Sequence, residues 1–173
     1  MVKCYSDKCD IYLINTNILV SLLLEGKRAR KCLRECKAHY FVPRPAVDEL
    51  LELIHSGDFQ DIVTRIERRI DRGVLTIRDL LRGRFELLIL LLESSVELVD
   101  VEPDHEAIAE AESIIGRRDP DDIPIVAIGI HISKQSNKKV CIWTNDKDLL
   151  DEIEEKQQYI KAVQQPYCCT IHK

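Results

Sequence analysis

Two runs of four consecutive apolar residues constrain this chain most: Ile11-Tyr12-Leu13-Ile14 and Val140-Cys141-Ile142-Trp143. Each is too short for a buried helix, and neither alternates apolar with polar. A strand with no polar face is covered on both sides, which is the situation inside a parallel sheet flanked by helices. Tyr40-Phe41-Val42, ended by Pro43, reads as a second strand of this kind, and Val96 to Val101 and Tyr159 to Val163 add two more candidates.

Between these runs the pattern turns helical. Val47, Leu50, Leu51 and Ile54 recur at helical spacing. Phe59, Ile62, Val63, Ile66 and Ile70 follow at the spacing of one helix face, and Gly73 marks that helix's end. Arg84 to Glu93 is apolar nearly all round, which suits either a core helix or a subunit contact. Asp104 to Ile115 turns Ile108, Ala111 and Ile115 inward and stops at Gly116. Asp119-Pro120-Asp121-Asp122 opens another helix that runs to Ser133, and a short helix follows the Val140–Trp143 strand to about Glu155. Strands alternating with helices predict a doubly wound α/β fold: a three-layer α/β/α sandwich around a central parallel sheet. A length of 173 residues fits one domain spanning 1–173.

Composition narrows the function. Lys and Arg number 25 against 30 Asp and Glu, a net charge of −5, which argues against recognition of nucleic acid through overall positive charge and leaves local basic patches open. Aromatic residues make up 5%, too few for a single-strand stacking platform. No two glycines stand two residues apart, so a glycine-rich phosphate loop is absent. The longest apolar runs, Leu87 to Leu92 and Ile18 to Leu24, fall short of the ~18 residues of a membrane span. The start, Met1 to Asp7, lacks a signal layout, and a cytoplasmic location is expected.

Seven cysteines, an odd number, argue against a secreted disulfide framework. Cys32 and Cys36 lie one helical turn apart, as thiols on a helix face or as a metal or bridge pair. A bridge between the ends, from Cys4 or Cys9 to Cys168 or Cys169, is the remaining alternative.

In a doubly wound sheet, ligands bind beyond the carboxyl ends of the strands. The residues that stand there are Asn15-Thr16-Asn17, Val47-Asp48-Glu49, Asp119 to Asp122 and Thr144-Asn145-Asp146-Lys147-Asp148. Carboxylates from distant parts of the chain thus converge at one edge. They repel each other, and burying them without a cation is costly. An all-oxygen donor set suits Mg²⁺ or Mn²⁺.

Four stretches carry a more specific likeness: Tyr12 to Leu19, Val42-Pro43 through Glu49-Leu50, Asp119 to Ala127, and Ile142 to Leu149. In order and spacing the sequence resembles the PIN domain family of small metal-dependent ribonucleases, from about Ile11 to about Val163. The resemblance implies an endoribonuclease that uses Mg²⁺ or Mn²⁺ and leaves 5′-phosphate and 3′-hydroxyl ends. It also implies an RNA substrate and, by analogy with toxin–antitoxin pairs, an antitoxin protein and a homodimer. The family's second, third and fourth acidic positions fall on Glu49, Asp122 and Asp146, expected to hold the metal. Its first acidic position falls on Asn15. An amide keeps an oxygen donor but loses a charge and brings an amino group to the site, so weaker metal binding and a weakened or inactive enzyme are expected. An engineered change, a natural degenerate member and a tolerated substitution all fit this departure.

Other roles are open to these residues. Asp119 suits a helix cap, with Pro120 in the first turn. Glu49 suits the dipole of a first helical turn. Asp148 is expected to cap the last helix, leaving Asp146 to the metal. Thr144 either bonds a carboxylate or phosphate, or simply ends a strand. Arg117 and Arg118, just before the acidic motif, are candidates for holding RNA phosphate. The basic residues from Lys27 to Lys37 and from Arg65 to Arg72 read as solvated faces, the histidines as structural, and Trp143 as core. The rival to a nuclease is a non-catalytic RNA-binding or protein-interaction module on the same fold. A third reading, a phosphotransfer enzyme with an aspartyl nucleophile, is disfavoured by the lack of Asp in Asn15-Thr16-Asn17.

Overall fold

The computed structural model describes residues 9–24, 30–33, 38–56, 58–73, 96–116, 119–156 and 159–164. Five strands form one sheet: β1 (Ile11–Ile14), β2 (His39–Pro43), β3 (Val96–Val99), β4 (Val140–Trp143) and β5 (Ile160–Val163). Every pairing is parallel, in the order β3-β2-β1-β4-β5. The helices between them are α1 (Thr16–Leu24), α2 (Arg44–Ser56), α3 (Asp58–Asp71), α4 (His105–Ile115), α5 (Ile123–Ser136) and α6 (Lys147–Lys156). A 3₁₀ turn, Pro120–Asp122, leads directly into α5.

The two unbroken apolar runs behave as their composition demands. All four residues of β1 and of β4 are buried. Ile11 and Leu13 enter one core with Val140, Ile142 and Ile160, against α4, α5 and α6. Tyr12 and Ile14 enter a second core with Tyr40, Cys141 and Trp143, against Ile18 and Leu22 of α1 and Leu33 of the helical segment 30–33. Alternate residues of one strand thus serve opposite helical layers, and the three-layer α/β/α sandwich follows. Side chains as large as Trp143 and Leu13 each contribute about 1.5–3 kcal/mol when taken out of water.

Local signals set the boundaries. Asp104 accepts from the Ala107 N–H at 2.8 Å and starts α4; Gly116, at φ 63°, ends it. Asn137, at φ 52°, takes the left-handed position after α5. Pro43 does not end β2 but belongs to it, in register with Val99, where β3 stops.

Four further expectations change. Glu49 stands in the second turn of α2, not in its first. Arg30 is buried, not solvated, and donates to the Leu22 carbonyl at 3.2 Å. Leu51 turns outward from α2. Cys9 is bonded to Cys141, not to Cys168 or Cys169, with a Cα–Cα distance of 5.9 Å; Cys32 is disulfide-bonded as well. Cys4, Cys36, Cys168, Cys169 and the segment 84–93 lie outside the described residues. No described helix is long and apolar enough to cross a membrane.

Candidate metal centre

The sheet order places a topological switch point between β1 and β4. The chain steps from β1 outward through β2 to β3, then returns to the other side of β1. The loops leaving β1 and β4 therefore diverge and open a crevice. Asn15 follows β1 and is held by its N–H to the Trp143 carbonyl at 3.0 Å; Thr144 follows β4 and is held by its N–H to the Val163 carbonyl at 3.0 Å.

Asp119, Asp122 and Asp146 meet in this crevice, each offering a carboxylate oxygen within 4.8 Å of the others. Asp119 and Asp122 stand three residues apart across the 3₁₀ turn, a spacing that puts both on one side. Asp119 makes no capping hydrogen bond with its side chain, so its carboxylate is left to the cluster. Asp146, not Asp148, caps α6: its Oδ1 accepts from the N–H groups of Asp148 at 2.8 Å and Leu149 at 3.2 Å. Its second oxygen remains for the crevice. Asp148 lines the same groove, together with Glu152.

Glu49 stands outside this trio, in an adjoining groove with Asn15, Asp48, Glu52 and Asp121. Its carboxylate accepts the Thr16 hydroxyl, which also faces the Ala46 carbonyl. Glu49 still acts on the trio through its charge, since it helps raise the pKa of Asp122.

The amide of Asn15 has a defined orientation. The Thr16 N–H donates to its Oδ1 at 2.7 Å, so Nδ2 points toward Thr144 Oγ1 at 3.2 Å and Asp122 Oδ1 at 3.5 Å. Thr144 is fully buried and accepts two more N–H groups, from Asn17 Nδ2 at 2.9 Å and the Asp146 backbone at 3.0 Å. A hydroxyl oxygen has two lone pairs, so three donors crowd it.

Burial pushes the Asp122 carboxyl up to about 7, helped by the charges of Asp119, Asp146 and Glu49 and opposed by the Asn15 amide. A carboxylate held that high among its own kind is the electrostatic condition a bound cation relieves. The donor set is all oxygen and close enough for one small ion to be shared, so the residues fit Mg²⁺ or Mn²⁺.

The model of the family described as PIN domain matches residues 13–161, across the sheet and all these residues. The chain belongs to the PIN domain family. No curated protein matches it. Within this PIN domain the structure brings together Asn15, Asp119, Asp122, Thr144 and Asp146, and sets Glu49 one side chain away. Arg117 and Arg118 lie outside the described residues. Asn17 had no role in the sequence reading. Its place two residues after Asn15, in the first turn of a helix at the sheet edge, was the signal.

Proposed function

We propose that this PIN domain is a Mg²⁺- or Mn²⁺-dependent endoribonuclease that hydrolyses RNA phosphodiester bonds. The observation that carries the reading is the convergence of Asp119, Asp122 and Asp146 at the switch-point crevice. These three would hold the metal, with Glu49 adding negative charge from behind Thr16. A divalent ion in such a site neutralises charge on the phosphoryl group and makes a water a better nucleophile at neutral pH. Asp122 releases its own proton only near neutrality, which readies the site for a cation there and not in acid. The antitoxin partner and the homodimer rest on the family likeness alone; sedimentation of the purified chain checks the second.

The test is cleavage of single-stranded RNA with Mn²⁺ by the wild type and by Asn15→Asp, with Asp122→Asn as the inactive control. Cleavage by the first two and not by the third supports the proposal; none by any of them, on varied RNAs, refutes it. One observation favours the rival, a non-catalytic RNA-binding or protein-interaction module. The Asn15 amide donates toward Asp122 and Thr144 from the place where the family has a carboxylate. Under that reading Asn15→Asp gains no activity.

A further inference from the structure

Asn17 uses both ends of its amide across the crevice. Nδ2 donates to Thr144 Oγ1 at 2.9 Å, and Oδ1 accepts from the Asn145 N–H at 3.0 Å. Both partners belong to the loop that leaves β4, more than a hundred residues on in sequence. Thr144 then holds the backbone of Asp146, whose N–H it accepts at 3.0 Å. Asp146 spends one carboxylate oxygen on the start of α6. Only the other is free to reach Asp119 and Asp122, so its position depends on where the 144–146 loop is fixed. We infer that Asn17 is a positioning residue for the metal centre: by clamping Thr144 and Asn145 to the first turn of α1, it holds Asp146 where its free oxygen meets the other two carboxylates. This rests on the reading of Asp146 as a cation ligand.

The chemistry names its own rescue. An aspartate at position 17 can accept from the Asn145 N–H and from the Thr144 hydroxyl. Thr144 would then accept two N–H groups and donate one proton, which matches its capacity better than accepting three. Alanine at 17 removes both contacts.

Mn²⁺ binding is followed by loss of the free-ion EPR signal, well below the melting temperature of each variant. Asn17→Ala is expected to weaken binding about tenfold or more, the usual cost of losing an outer-shell support, while Asn17→Asp stays within about threefold of wild type. Leu22→Ala, which opens the core under α1 without touching the clamp, should lower the melting temperature and leave the affinity unchanged. Asn17→Ala binding as tightly as wild type overturns the assignment, and so does Leu22→Ala losing as much affinity as Asn17→Ala. Wild-type protein that binds no Mn²⁺ overturns the metal reading itself, and this role with it.

Discussion

At position 15 one atom separates two different sites. The Asn15 amide gives Asp122 a donor and Thr144 a third one; a carboxylate there would give Asp122 a fourth negative neighbour and take the Thr144 proton instead. Asn15→Asp is expected to cost the metal-free fold about 1 kcal/mol through like-charge contact. That corresponds to a fall of about 2–4 °C in melting temperature in chelator for a chain of this size. The same variant should gain more from millimolar Mn²⁺ than the wild type, because stabilisation grows with affinity. Paired thermal melts decide it, and an equal Mn²⁺ shift in both forms would place residue 15 away from the ion. Asp122 yields a pH signature. Its folded-state pKa of about 7 lies above the ordinary 3.8, so the folded chain keeps a proton that the unfolded chain has lost. That stability is fully present below about 3.8 and is lost as pH rises through 7. In chelator, the wild-type melting temperature should therefore fall between pH 5 and pH 8 by more than that of Asp122→Asn.

At the scale of elements, α6 and α5 make separate demands on the site. Asp146 serves both the helix and the cluster, and two substitutions separate the roles. Asparagine is as good a cap as aspartate, whereas alanine costs about 1 kcal/mol. Asp146→Asn should hold or raise the metal-free melting temperature and lose the Mn²⁺ shift; Asp146→Ala should lose both, read in the same melts. Gly129 lets α5 lie close on the sheet. A Cβ there would sit 3.3 Å from Leu13 Cδ1 and 3.5 Å from Ile160 Cγ2. Only the Leu13 contact is tight, and the helix gain of Gly→Ala offsets part of the crowding, so Gly129→Ala is expected to destabilise by no more than about 1 kcal/mol, measured by urea unfolding. The strands could be read from the sequence because β1 and β4 are apolar on both faces, and α4 because Asp104 and Gly116 bracket a periodic stretch. The division of labour between Asp146 and Asp148 could not. Both are aspartates at a helix start, and only the turn geometry decides which oxygen meets the N–H groups. Asp119 could be named from the sequence as a site candidate but not separated from a helix cap, since the capping role fails only once the 3₁₀ turn is seen. The Cys9–Cys141 pairing needed the strand order, because 132 residues separate the two.

Across the whole molecule, charge and covalent constraint pull on the same crevice. Among the described residues, the linings of its two grooves contain no Lys, Arg or His. A polyanion meets them favourably only when a cation or a basic segment is in place. Beneath the site, the Cys9–Cys141 disulfide joins the residues before β1 to the middle of β4, the strands that flank the switch point. By the chain-entropy argument, a closed loop of this length contributes about 4–5 kcal/mol. Non-reducing melts should therefore exceed those in reductant by about 10 °C or more, and Cys9→Ser with Cys141→Ser should remove about 10 °C of that difference, leaving what the bridge at Cys32 contributes. The bridge also sets a clock on biosynthesis. Cys9 is made 132 residues before its partner, which at ~5–20 residues per second means a wait on the order of ten seconds. For most of that interval Cys32 and Cys36 are already made and nearer along the chain. Correct pairing then depends on Cys9 staying reduced until β4 has seated beside β1, so oxidation that arrives too early yields the wrong bridge.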